Sequence, residues 1–426
     1  MEKKIKIGLI GLGTVGTGVV KVLENFDNIE IKAVAVHNIN KPRAVEVKNI
    51  TDDAFTLVND PDIDIIVEVM GGCDPTLKLL ETAIKNGKHI VTANKELLAR
   101  HGAYLFDLAN EYNKVILYEA AVAGGIPIIM PIKTTMRANN FESVAGILNG
   151  TTNYILSKME EEGLSYEECL KKAQELGYAE TNPTSDVEGY DAMYKIATLA
   201  NITFHKRIDI NKIYREGITK ITKEDIECAN ELGYKIKLIG LAKRTKTDEI
   251  DVRVHPMLVK KQNMMAKINN ALNAVLLKGQ PIGEVVFSGP GAGEMPTASS
   301  VVGDILVLAS EINMMGNILP MTRCNHSELA KQINISETEN NYYISITAKN
   351  LHGIIGIIGT ACGKNNINIL SILQKGLSDD HRSAKVIVIT EKCLEKDIQN
   401  AIKELEAIVQ EDEKCIQINN LIRVME

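Results

Sequence analysis

The sequence predicts an α/β protein with three parts: a doubly wound parallel sheet, a mixed α+β domain and a C-terminal domain of ferredoxin-like order. Three observations support this prediction. An apolar segment near the N-terminus runs into Gly11-Leu-Gly-Thr-Val-Gly16, which opens a helical pattern. Strand and helix patterns then alternate up to about residue 130, which is typical of a parallel sheet. Residues 341–426 show the order β-α-β-β-α-β.

Apolar periodicity and Gly or Pro breaks give the individual elements. In the first part, strands are predicted over 4–10, 30–36, 64–69, 89–92 and 115–117, and helices over 17–25 and 75–86. In the second part, strands are predicted over 141–148, 235–242, 250–254, 271–277 and 284–287, with helices between 155 and 200 and an apolar helix ending at 310. In the third part, the predicted elements are 342–348, 354–364, 367–373, a polar turn at 378–381, 384–390, 394–409 and 416–424.

Composition narrows the class of protein. The net charge of -7, with Lys and Glu interspersed, argues against nucleic acid as the main partner. Seven scattered cysteines without a C-x-x-C pair indicate a reducing compartment, with neither structural zinc nor a disulfide framework. The N-terminal apolar run contains glycines and has no cleavage site, and no other stretch approaches the ~18 residues that span a bilayer. These features predict a soluble, cytoplasmic protein without a membrane partner.

The glycine motif between a strand and a helix predicts a dinucleotide site. Gly11 allows a tight turn, Gly13 lets the backbone approach a pyrophosphate, and Gly16 lets the helix pack closely on the strand. Free N–H groups at a helix start attract phosphate, so Thr14 and Val15 are expected cofactor contacts as well.

The loop after the second strand bears on the choice of cofactor. An acidic residue there would bind the ribose hydroxyls of NAD(H), but the chain reads His37-Asn-Ile-Asn-Lys41-Pro-Arg43. Lys41 and Arg43 could meet a 2′-phosphate, which favours NADP(H). The alternative is that both are solvated loop charges and that NAD(H) is used.

Lys95 follows the strand at 89–92. Ligands of open α/β sheets collect at the carboxyl ends of the strands, so Lys95 is placed to face the nicotinamide and the substrate. An ordinary surface lysine is the alternative.

Residues 173–195, AQELGYAETNPTSDVEGYDAMYK, form the most informative segment of the chain. Asp191 and Lys195 are four apart on a predicted helix that follows a turn, so they share a face. A carboxylate orients a neighbouring amine, and a partly desolvated lysine exchanges a proton near neutral pH. For an isolated pair, an exposed surface ion pair is the more common explanation.

This segment resembles the signature of the homoserine dehydrogenase family from end to end. One position departs from its commonest form, Asn182 where many members carry Asp. Further segments of the chain resemble other sequence motifs of the same family and occur in the order that the family has. They are TANKELLA around Lys95, YEAAVAGGIP from Tyr118, NGTTNYIL from Asn149 and GPGAGEMPTAS from Gly289. The resemblance covers almost the whole chain. It implies reversible NAD(P)H-dependent reduction of aspartate 4-semialdehyde to homoserine, in threonine and methionine synthesis.

The resemblance also implies roles for residues of the site. Lys195 would protonate the developing alkoxide, Lys95 would assist near the carbonyl, and Asp191 would position Lys195. Glu180 and Asp186 would bind the ammonium group of the substrate or shape the site.

Two further blocks allow both a binding and a structural interpretation. Backbone amides at Gly150 and Thr151 could orient a small carboxylate; alternatively Thr151, Thr152 or Asn153 caps the helix. Gly293 could let the backbone close over cofactor or substrate. Alternatively its loop is only a helix entry, capped by Thr297 or Ser299.

A cation site is implied by the resemblance at the glycine-rich loop after the strand at 115–117. Backbone carbonyls of Val122, Gly124 and Ile126, with help from Glu119, would hold a monovalent cation, usually sodium. Glycines can turn several carbonyls inward to replace a hydration shell. The alternative is an ion-free joint between domains.

The resemblance predicts how the chain divides. A Rossmann-type NAD(P)-binding domain takes residues 1–130 and is completed by a helix near 297–315; a substrate-binding and dimerisation domain takes 131–310, and a linker 311–340. Residues 341–426 resemble an ACT domain, a module that pairs with another copy and binds an amino acid at the joint. Its usual Asp-x-Pro-Gly is here Asn350-Leu-His-Gly353, so an ACT fold used only for assembly is the alternative. A homodimer or homotetramer is expected, with the effector, threonine or another amino acid, left open.

Two rival functions remain at this stage. Aspartate-semialdehyde dehydrogenase shares the substrate but needs a cysteine nucleophile, for which Cys73 is the only placed candidate. A catalytically idle amino-acid sensor would use the same domains only for binding. The complete lysine and carboxylate set argues against the sensor and favours a homoserine dehydrogenase. Because no kinase-sized segment precedes the nucleotide-binding strand, the monofunctional form without a fused aspartate kinase is expected.

Overall fold

The structure is a computed structural model, and it describes residues 3–314, 322–377, 383–410 and 413–425. Its first part is a six-stranded parallel sheet of order β3-β2-β1-β4-β5-β6 with helices on both faces. The doubly wound sheet is therefore confirmed. Its elements are β1 (Ile5–Ile10), α1 (Thr14–Leu23), β2 (Ile29–Ala35), β3 (Ile50–Thr51), α2 (Ala54–Asn59), β4 (Ile65–Glu68), α3 (Thr76–Lys85), β5 (His89–Thr92), α4 (Lys95–Glu111) and β6 (Ile116–Leu117).

The start of α1 differs from the sequence-based expectation, and helices α2 and α4 were not predicted. Helix α1 begins at Thr14 rather than at residue 17, because the glycine motif itself forms the first turn. Helix α4 was not predicted, and its first residue is Lys95. Asn94 caps α4 by accepting a hydrogen bond from the Leu97 N–H at 3.1 Å.

A buried histidine begins β5, next to the edge strand β6 of the first sheet. His89 is 6% exposed on β5, and burial lowers its pKa to about 4. Between pH 6.5 and 4 the unfolded chain therefore binds a proton that the folded chain does not, and the free energy of unfolding falls as the pH falls. We expect this residue to contribute a loss of about 2 kcal/mol between pH 7.5 and pH 5.

Urea unfolding of the wild type and of His89→Gln, at pH 7.5 and at pH 5, measures this contribution. The variant should lose less stability between the two pH values, because glutamine does not titrate. The comparison at pH 7.5, where residue 89 is uncharged in both proteins, is the control. Equal losses in the two proteins would contradict the expectation.

The second part is a mixed α+β layer, as predicted. Its sheet has the order β12-β11-β7-β9-β10, with β8 beside β10, and its helices pack on one face. Its elements are α5 (Ile129–Lys133), β7 (Asn140–Ile147), α6 (Gly150–Glu162), α7 (Tyr166–Glu175), α8 (Thr184–Val187), α9 (Tyr190–Phe204), β8 (Tyr214–Arg215), α10 (Lys223–Glu231), β9 (Tyr234–Arg244), β10 (Ile250–Lys260), β11 (Leu272–Gln280) and β12 (Gly283–Pro290).

Helix α11 (Glu294–Asn313) returns to the first sheet and packs against α1. A Cβ at Gly18 of α1 would lie 2.8 Å from the Cβ of Ala298, so the two helices approach closely there. Lys21 and Glu294 add an ion pair at 2.6 Å. Helix α11 overlaps the helix predicted near 297–315, and its assignment to the first domain stays a prediction.

Helix α11 also corrects one expectation. Within the described residues it is long and apolar enough to cross a membrane, although no such stretch was expected. Half of its apolar window is buried inside the protein, where Val301, Ile305 and Leu308 are fully covered. These features identify α11 as a core helix.

The C-terminal part has the predicted β-α-β-β-α-β order, with strands arranged β20-β14-β16-β15. The predicted turn at 378–381 lies outside the residues that the structure describes. The elements are β13 (Glu339–Asn340), β14 (Tyr342–Lys349), α12 (Ile354–Lys364), β15 (Ile369–Leu377), β16 (Ser383–Thr390), β17 (Cys393–Leu394), α13 (Glu395–Glu406), β18 (Val409–Gln410), β19 (Glu413–Lys414) and β20 (Ile416–Val424).

The C-terminal sheet continues the sheet of the second part, which was not expected. Strand β20 pairs in parallel with β10, Arg423 opposite Met257 and Val424 opposite Leu258. Part of the predicted linker at 311–340 is also structured, since Leu329 and Gln332 bridge to residues of the second part. The domain boundaries at 130, 310 and 340 stay a prediction.

Candidate active site

Helix α9 brings Asp191 and Lys195 together inside the protein. Gly189, with φ +80°, makes the turn that starts the helix, and Asp191 lies in its first turn. The Lys195 ammonium donates to Asp191 Oδ2 at 2.7 Å and to the Leu148 carbonyl at 2.7 Å. The side chains of Asp191 and Lys195 are 3% and 10% exposed. The alternative of an exposed surface pair is therefore excluded.

Lys95 reaches the same carboxylate from the other sheet. It forms an ion pair with Asp191 Oδ1, so the two lysines flank one buried carboxylate. Its side chain is 41% exposed, in contrast to that of Lys195. Lys95 therefore lies on the solvent side of the cluster.

Asn149 completes the cluster, and its role was missed at the sequence level. Its amide donates to Asp186 Oδ1 at 2.7 Å and to Asp191 Oδ2 at 2.9 Å. Its Oδ1 accepts from the Thr152 N–H at 2.8 Å and so caps α6. The predicted cap at Thr151, Thr152 or Asn153 is wrong by a few residues. The only available signal was Asn149, a good capping residue, at the head of its motif.

The electrostatics of the cluster separate the two lysines. Burial lowers the pKa of Lys195 despite the opposing charge of Asp191. The charge of Asp191 raises the pKa of Lys95, with burial opposing. Burial disfavours the Asp191 carboxylate, but Lys195 and Lys95 outweigh it and hold its pKa well below the usual range. Lys195 is thus the ammonium group that gives up a proton more readily.

The remaining candidates for substrate contacts lie around this cluster. Burial, followed by the charge of Asp191, raises the pKa of Asp186, which is half-buried. Glu180 is exposed at the rim, and its charge helps to raise the pKa of Lys95. Gly150 begins α6, and the Thr151 hydroxyl donates to the Tyr178 carbonyl at 2.6 Å. The Thr151 side chain therefore ties α6 to the loop that precedes Glu180.

Asn182, the departure from the common motif, has a structural role. Its Oδ1 accepts from the N–H of Thr184 at 3.2 Å and from the Thr184 hydroxyl at 2.7 Å. An aspartate could accept the same two hydrogen bonds, which explains why either residue suits this turn.

The glycine motif has the geometry expected of a nucleotide loop. Gly11 has φ +104°, and a Cβ there would lie 2.9 Å from the backbone of Val69 and Met70. A Cβ at Gly16 would lie 2.1 Å from the Gly11 carbonyl oxygen, whereas Gly13 has no neighbour within 4 Å. Gly16 is thus required for packing, and Gly13 leaves open space for a ligand.

This contrast predicts different effects for two substitutions. Gly13→Ala should fold normally and lower the affinity for the nucleotide by about tenfold or more, or about 1.4 kcal/mol per tenfold. Gly16→Ala should lower the melting temperature, because backbone must move to admit the methyl group. Thermal unfolding without nucleotide and titration with NADPH measure the two quantities. A Gly13→Ala protein that binds NADPH as wild type does would contradict the assignment.

The residues next to the motif are placed as follows. Thr14 is exposed and Val15 half-buried at the start of α1. The Arg43 guanidinium donates to the carbonyls of Leu12 and Asn38, each at 2.8 Å, and so bridges the glycine loop to the loop after β2. Lys41 is exposed in that second loop. Both cations flank the motif, and Arg43 also has a structural role there.

The loop at 118–126 is tightly built. The Glu119 carboxylate accepts from the N–H groups of Ile128, Ile129 and Met130 at 2.5–2.7 Å. Burial raises the pKa of Glu119, and burial with the Glu119 charge raises that of Asp304, whose carboxylate accepts from the Glu119 N–H at 2.8 Å. The Asp304 carboxylate is therefore bound to the Glu119 backbone, close enough to feel the charge of the Glu119 side chain.

The three backbone carbonyls expected to bind a cation in this loop differ in their hydrogen bonds. The Gly124 carbonyl accepts from the Ser300 hydroxyl at 2.7 Å. Within the described part of the chain, no recorded donor serves the carbonyls of Val122 or Ile126. Free carbonyls beside buried carboxyl groups are compatible with a small cation.

The loop at 289–293 packs against this region. A Cβ at Gly124 would lie 2.4 Å from the Gly291 carbonyl oxygen. Gly293, with φ +121°, is exposed and precedes α11, and no side chain caps that helix. The predicted cap at Thr297 or Ser299 is therefore wrong, because the helix already begins at Glu294.

Comparisons with known proteins extend these observations to the whole chain. The family model described as the NAD binding domain of homoserine dehydrogenase matches residues 11–119, that of homoserine dehydrogenase matches 127–306, and the ACT domain model matches 342–410. A homoserine dehydrogenase from Synechocystis sp. is 39% identical, over 99% of each chain. The chain belongs to the homoserine dehydrogenase family.

Other relatives of this family agree. A homoserine dehydrogenase from Pseudomonas aeruginosa is 40% identical over 95% of this chain and 96% of its own. A crystal structure of one from Thiobacillus denitrificans has a TM-score of 0.93 and 36% identity, and covers 100% of this chain and 99% of its own. One from S. aureus has a TM-score of 0.77 and 33% identity over the full length of both chains. The protein is accordingly an NAD(P)-dependent oxidoreductase with a C-terminal ACT domain.

Cys73 does not support the rival activity. It is half-buried, and burial raises the pKa of its thiol. A thiolate nucleophile needs a lowered pKa. The family assignment and this thiol both disfavour aspartate-semialdehyde dehydrogenase, and the two-lysine cluster disfavours an idle sensor.

Proposed function

We propose that the Asp191 cluster carries out the proton transfer in the reduction of aspartate 4-semialdehyde to homoserine. The observation that supports this proposal is a buried Lys195 with a lowered pKa, held by Asp191 and the Leu148 carbonyl. When bound, the nicotinamide supplies the hydride that the aldehyde carbon receives. Lys195 donates a proton to the carbonyl oxygen as charge develops there, and accepts it back in the oxidation of homoserine.

The second lysine has a different part in this proposal. Lys95 stays charged because the charge of Asp191 raises its pKa, so it stabilises the developing negative charge rather than losing a proton. Asp191 orients both ammonium groups, and Asn149 fixes Asp191 through its side-chain amide.

The substrate's own charges have complementary groups nearby. Asp186 and Glu180 are the proposed partners of its ammonium group. The start of α6, at Gly150 and Thr151, offers backbone N–H groups and the positive end of a helix dipole to its carboxylate. Both sets of groups border the same cluster, which supports binding of a small amino-acid substrate there.

For the cofactor, we propose a preference for NADP(H) over NAD(H). Arg43 bridges the glycine loop to the loop after β2, Lys41 is exposed in that loop, and no acidic side chain lies between residues 37 and 43. Gly11, Gly13 and Gly16, with Thr14 and Val15, are the proposed pyrophosphate contacts. A clear preference for NADH in steady-state kinetics would overturn the NADP(H) assignment.

A monovalent cation, with sodium as the proposed species, would be held by the carbonyls of Val122, Gly124 and Ile126 beside Glu119. It would neutralise a region where Glu119 and Asp304 are buried together. The melting temperature in NaCl should then exceed that in choline chloride at equal ionic strength. Glu119→Gln should reduce this difference, and an equal melting temperature in both salts would remove the site.

The assembly proposed is a homodimer or homotetramer through the face of the second sheet opposite α6 and α9. A groove of about 290 Å³ lies on that face, lined in part by Leu241, Met257 and Leu276. We further propose a cytoplasmic enzyme under feedback control, with an amino-acid effector at the ACT domain near Gly353, where φ is +83° and α12 begins.

A homoserine oxidation assay with NADP⁺ and NAD⁺, repeated with added sodium and with added threonine, tests these proposals together. NADPH formation from homoserine is the expected result. Phosphate-dependent turnover of the semialdehyde that thiol alkylation abolishes, without homoserine oxidation, would overturn the proposed function.

A further inference from the structure

The segment 214–219 lies between the start of α9 and the C-terminal domain. Strand β8 pairs with β10, and the Ile218 N–H donates to the Val187 carbonyl at 2.8 Å. A Cβ at Gly217 would lie 2.2 Å from the same carbonyl oxygen. The segment therefore packs backbone against backbone on the turn that leads into α9.

Arg215 holds both residues that flank Gly189. Its guanidinium donates to the Glu188 carbonyl and lies 3.5 Å from the centre of the Tyr190 ring. A Cβ at Gly189 would lie 3.5 Å from Arg215 Cγ. Stacking and the hydrogen bond together fix the helix start one residue before Asp191.

The neighbours of Arg215 face the C-terminal domain instead. Strand residues alternate between two faces, so Tyr214 and Glu216 project to the side opposite Arg215. Arg423 of β20 donates to Glu216 Oε2 at 3.1 Å and to the Tyr214 hydroxyl at 3.3 Å, and its side chain is 2% exposed. Glu395 of α13 accepts from Arg423 at 2.6 and 2.9 Å.

We propose that Arg215 is a positioning residue for the Asp191–Lys195 pair, and that the Arg423 network of the C-terminal domain fixes the strand that carries it. The inference rests on the proposed function, because the proposed function assigns proton transfer to that pair. Arg215 contacts the turn before α9 and none of the cluster's own side chains. Arg215 sets the direction in which α9 starts. This direction in turn sets the position of Asp191 relative to Lys95.

Arg215→Ala should lower kcat by about 10–100-fold, since a displacement of about 1 Å at a reacting group can cost 10²-fold. KM for NADP⁺ should stay unchanged, because Arg215 contacts residues 188–190 and 254, away from the glycine motif. Amide hydrogen exchange in a peptide covering residues 186–196 should accelerate, which reports loosening of the helix start without any need for activity.

Arg244→Ala is the matched control. Arg244 also lies over an aromatic ring of α9, at 5.5 Å from the centre of Phe204, but at the opposite end of the helix. It should leave kcat and the exchange of residues 186–196 near wild type. Tyr190→Ala, at a partly exposed position, repeats the test by removing the ring partner in case Arg215→Ala does not fold.

Glu216→Gln tests the link to the C-terminal domain. It removes one charge partner of Arg423 and should change kcat and exchange in the same direction as Arg215→Ala, by a smaller factor. A wild-type response in Glu216→Gln would remove the link, and equal kcat and exchange in Arg215→Ala and Arg244→Ala would overturn the positioning role. If the wild type failed to oxidise homoserine, the proposed function would fail, while the exchange data would still decide on Arg215.

Discussion

Replacing Lys195 with alanine is expected to lower kcat by about 10²–10⁴-fold, the usual contribution of a positioned general acid. The ammonium group is buried, its pKa is lowered by burial, and two recorded acceptors fix its direction. Lys95 remains charged in the variant and continues to stabilise the oxyanion, so some activity should persist. Steady-state kinetics of semialdehyde reduction at saturating NADPH measure the loss.

Lys206→Ala is the matched control for that variant. Lys206 follows the far end of α9, its side chain is 13% exposed, and it forms an ion pair with Asp248 at 2.7 Å. Its removal should leave kcat within about twofold, because Lys206 lies beyond the end of α9 that is remote from Asp191 and its ion pair adds little to stability. Near-normal turnover in Lys195→Ala would remove Lys195 from the mechanism.

The assignment of Lys195 as the proton donor also predicts the direction in which kcat changes with pH. Semialdehyde reduction needs the protonated form of Lys195, so kcat should fall as the pH rises through its pKa. Since burial lowers this pKa, the fall should begin below the pH at which an ordinary lysine loses its proton. The alkaline fall should be absent from the residual activity of Lys195→Ala.

Asp191→Asn is expected to reduce both stability and turnover. The carboxylate uses one oxygen for Lys95 and the other for Lys195 and Asn149, and an amide offers only one acceptor atom. One of the two ammonium groups, that of Lys95 or that of the buried Lys195, is then left facing an N–H₂ group. Loss of one partner from a buried ion pair costs about 3–5 kcal/mol, and we expect the free energy of unfolding to fall by that order.

The matched control is Asp248→Asn. Asp248 also joins two cations, Lys206 at 2.7 Å and Arg244 at 2.9 Å, but its side chain is 56% exposed. Its replacement should cost less than about 1 kcal/mol, because solvent screens surface pairs. Urea unfolding of both variants at pH 7.5 gives the comparison. Equal losses would show that burial of the Asp191 cluster contributes nothing.

Much of this site follows from local sequence. The spacing of Asp191 and Lys195 fixes a shared helix face, and the strand before Lys95 fixes the sheet edge at which it lies. The order of the motifs along the chain indicated the homoserine dehydrogenase family. Local pattern could not show burial, because whether the pair faces solvent depends on β7 and on the first sheet, which lie far away in the chain.

The features that the sequence did not predict also depend on contacts between distant parts of the chain. Asn149 reaches Asp186 and Asp191 from the start of another helix, and a capping residue in a sequence does not reveal what its second polar atom contacts. Strand β20 meets β10 over only two residue pairs, and edge-to-edge pairing leaves no periodicity of its own. The helix caps at Asn149 and Gly293 were misplaced, since both boundaries depend on backbone angles more than on composition.

The pairing of β20 with β10 affects how control by the C-terminal domain can be studied. A chain truncated before residue 341 would lose that strand, bare the backbone edge of β10 at Met257 and Leu258, and leave Glu216 without its guanidinium partner. Bare strand edges recruit other chains, so such a protein would tend to aggregate. A loss of activity or of the response to an effector after truncation would then report damaged folding rather than the role of the C-terminal domain, and single substitutions on helix α12 are the cleaner probe.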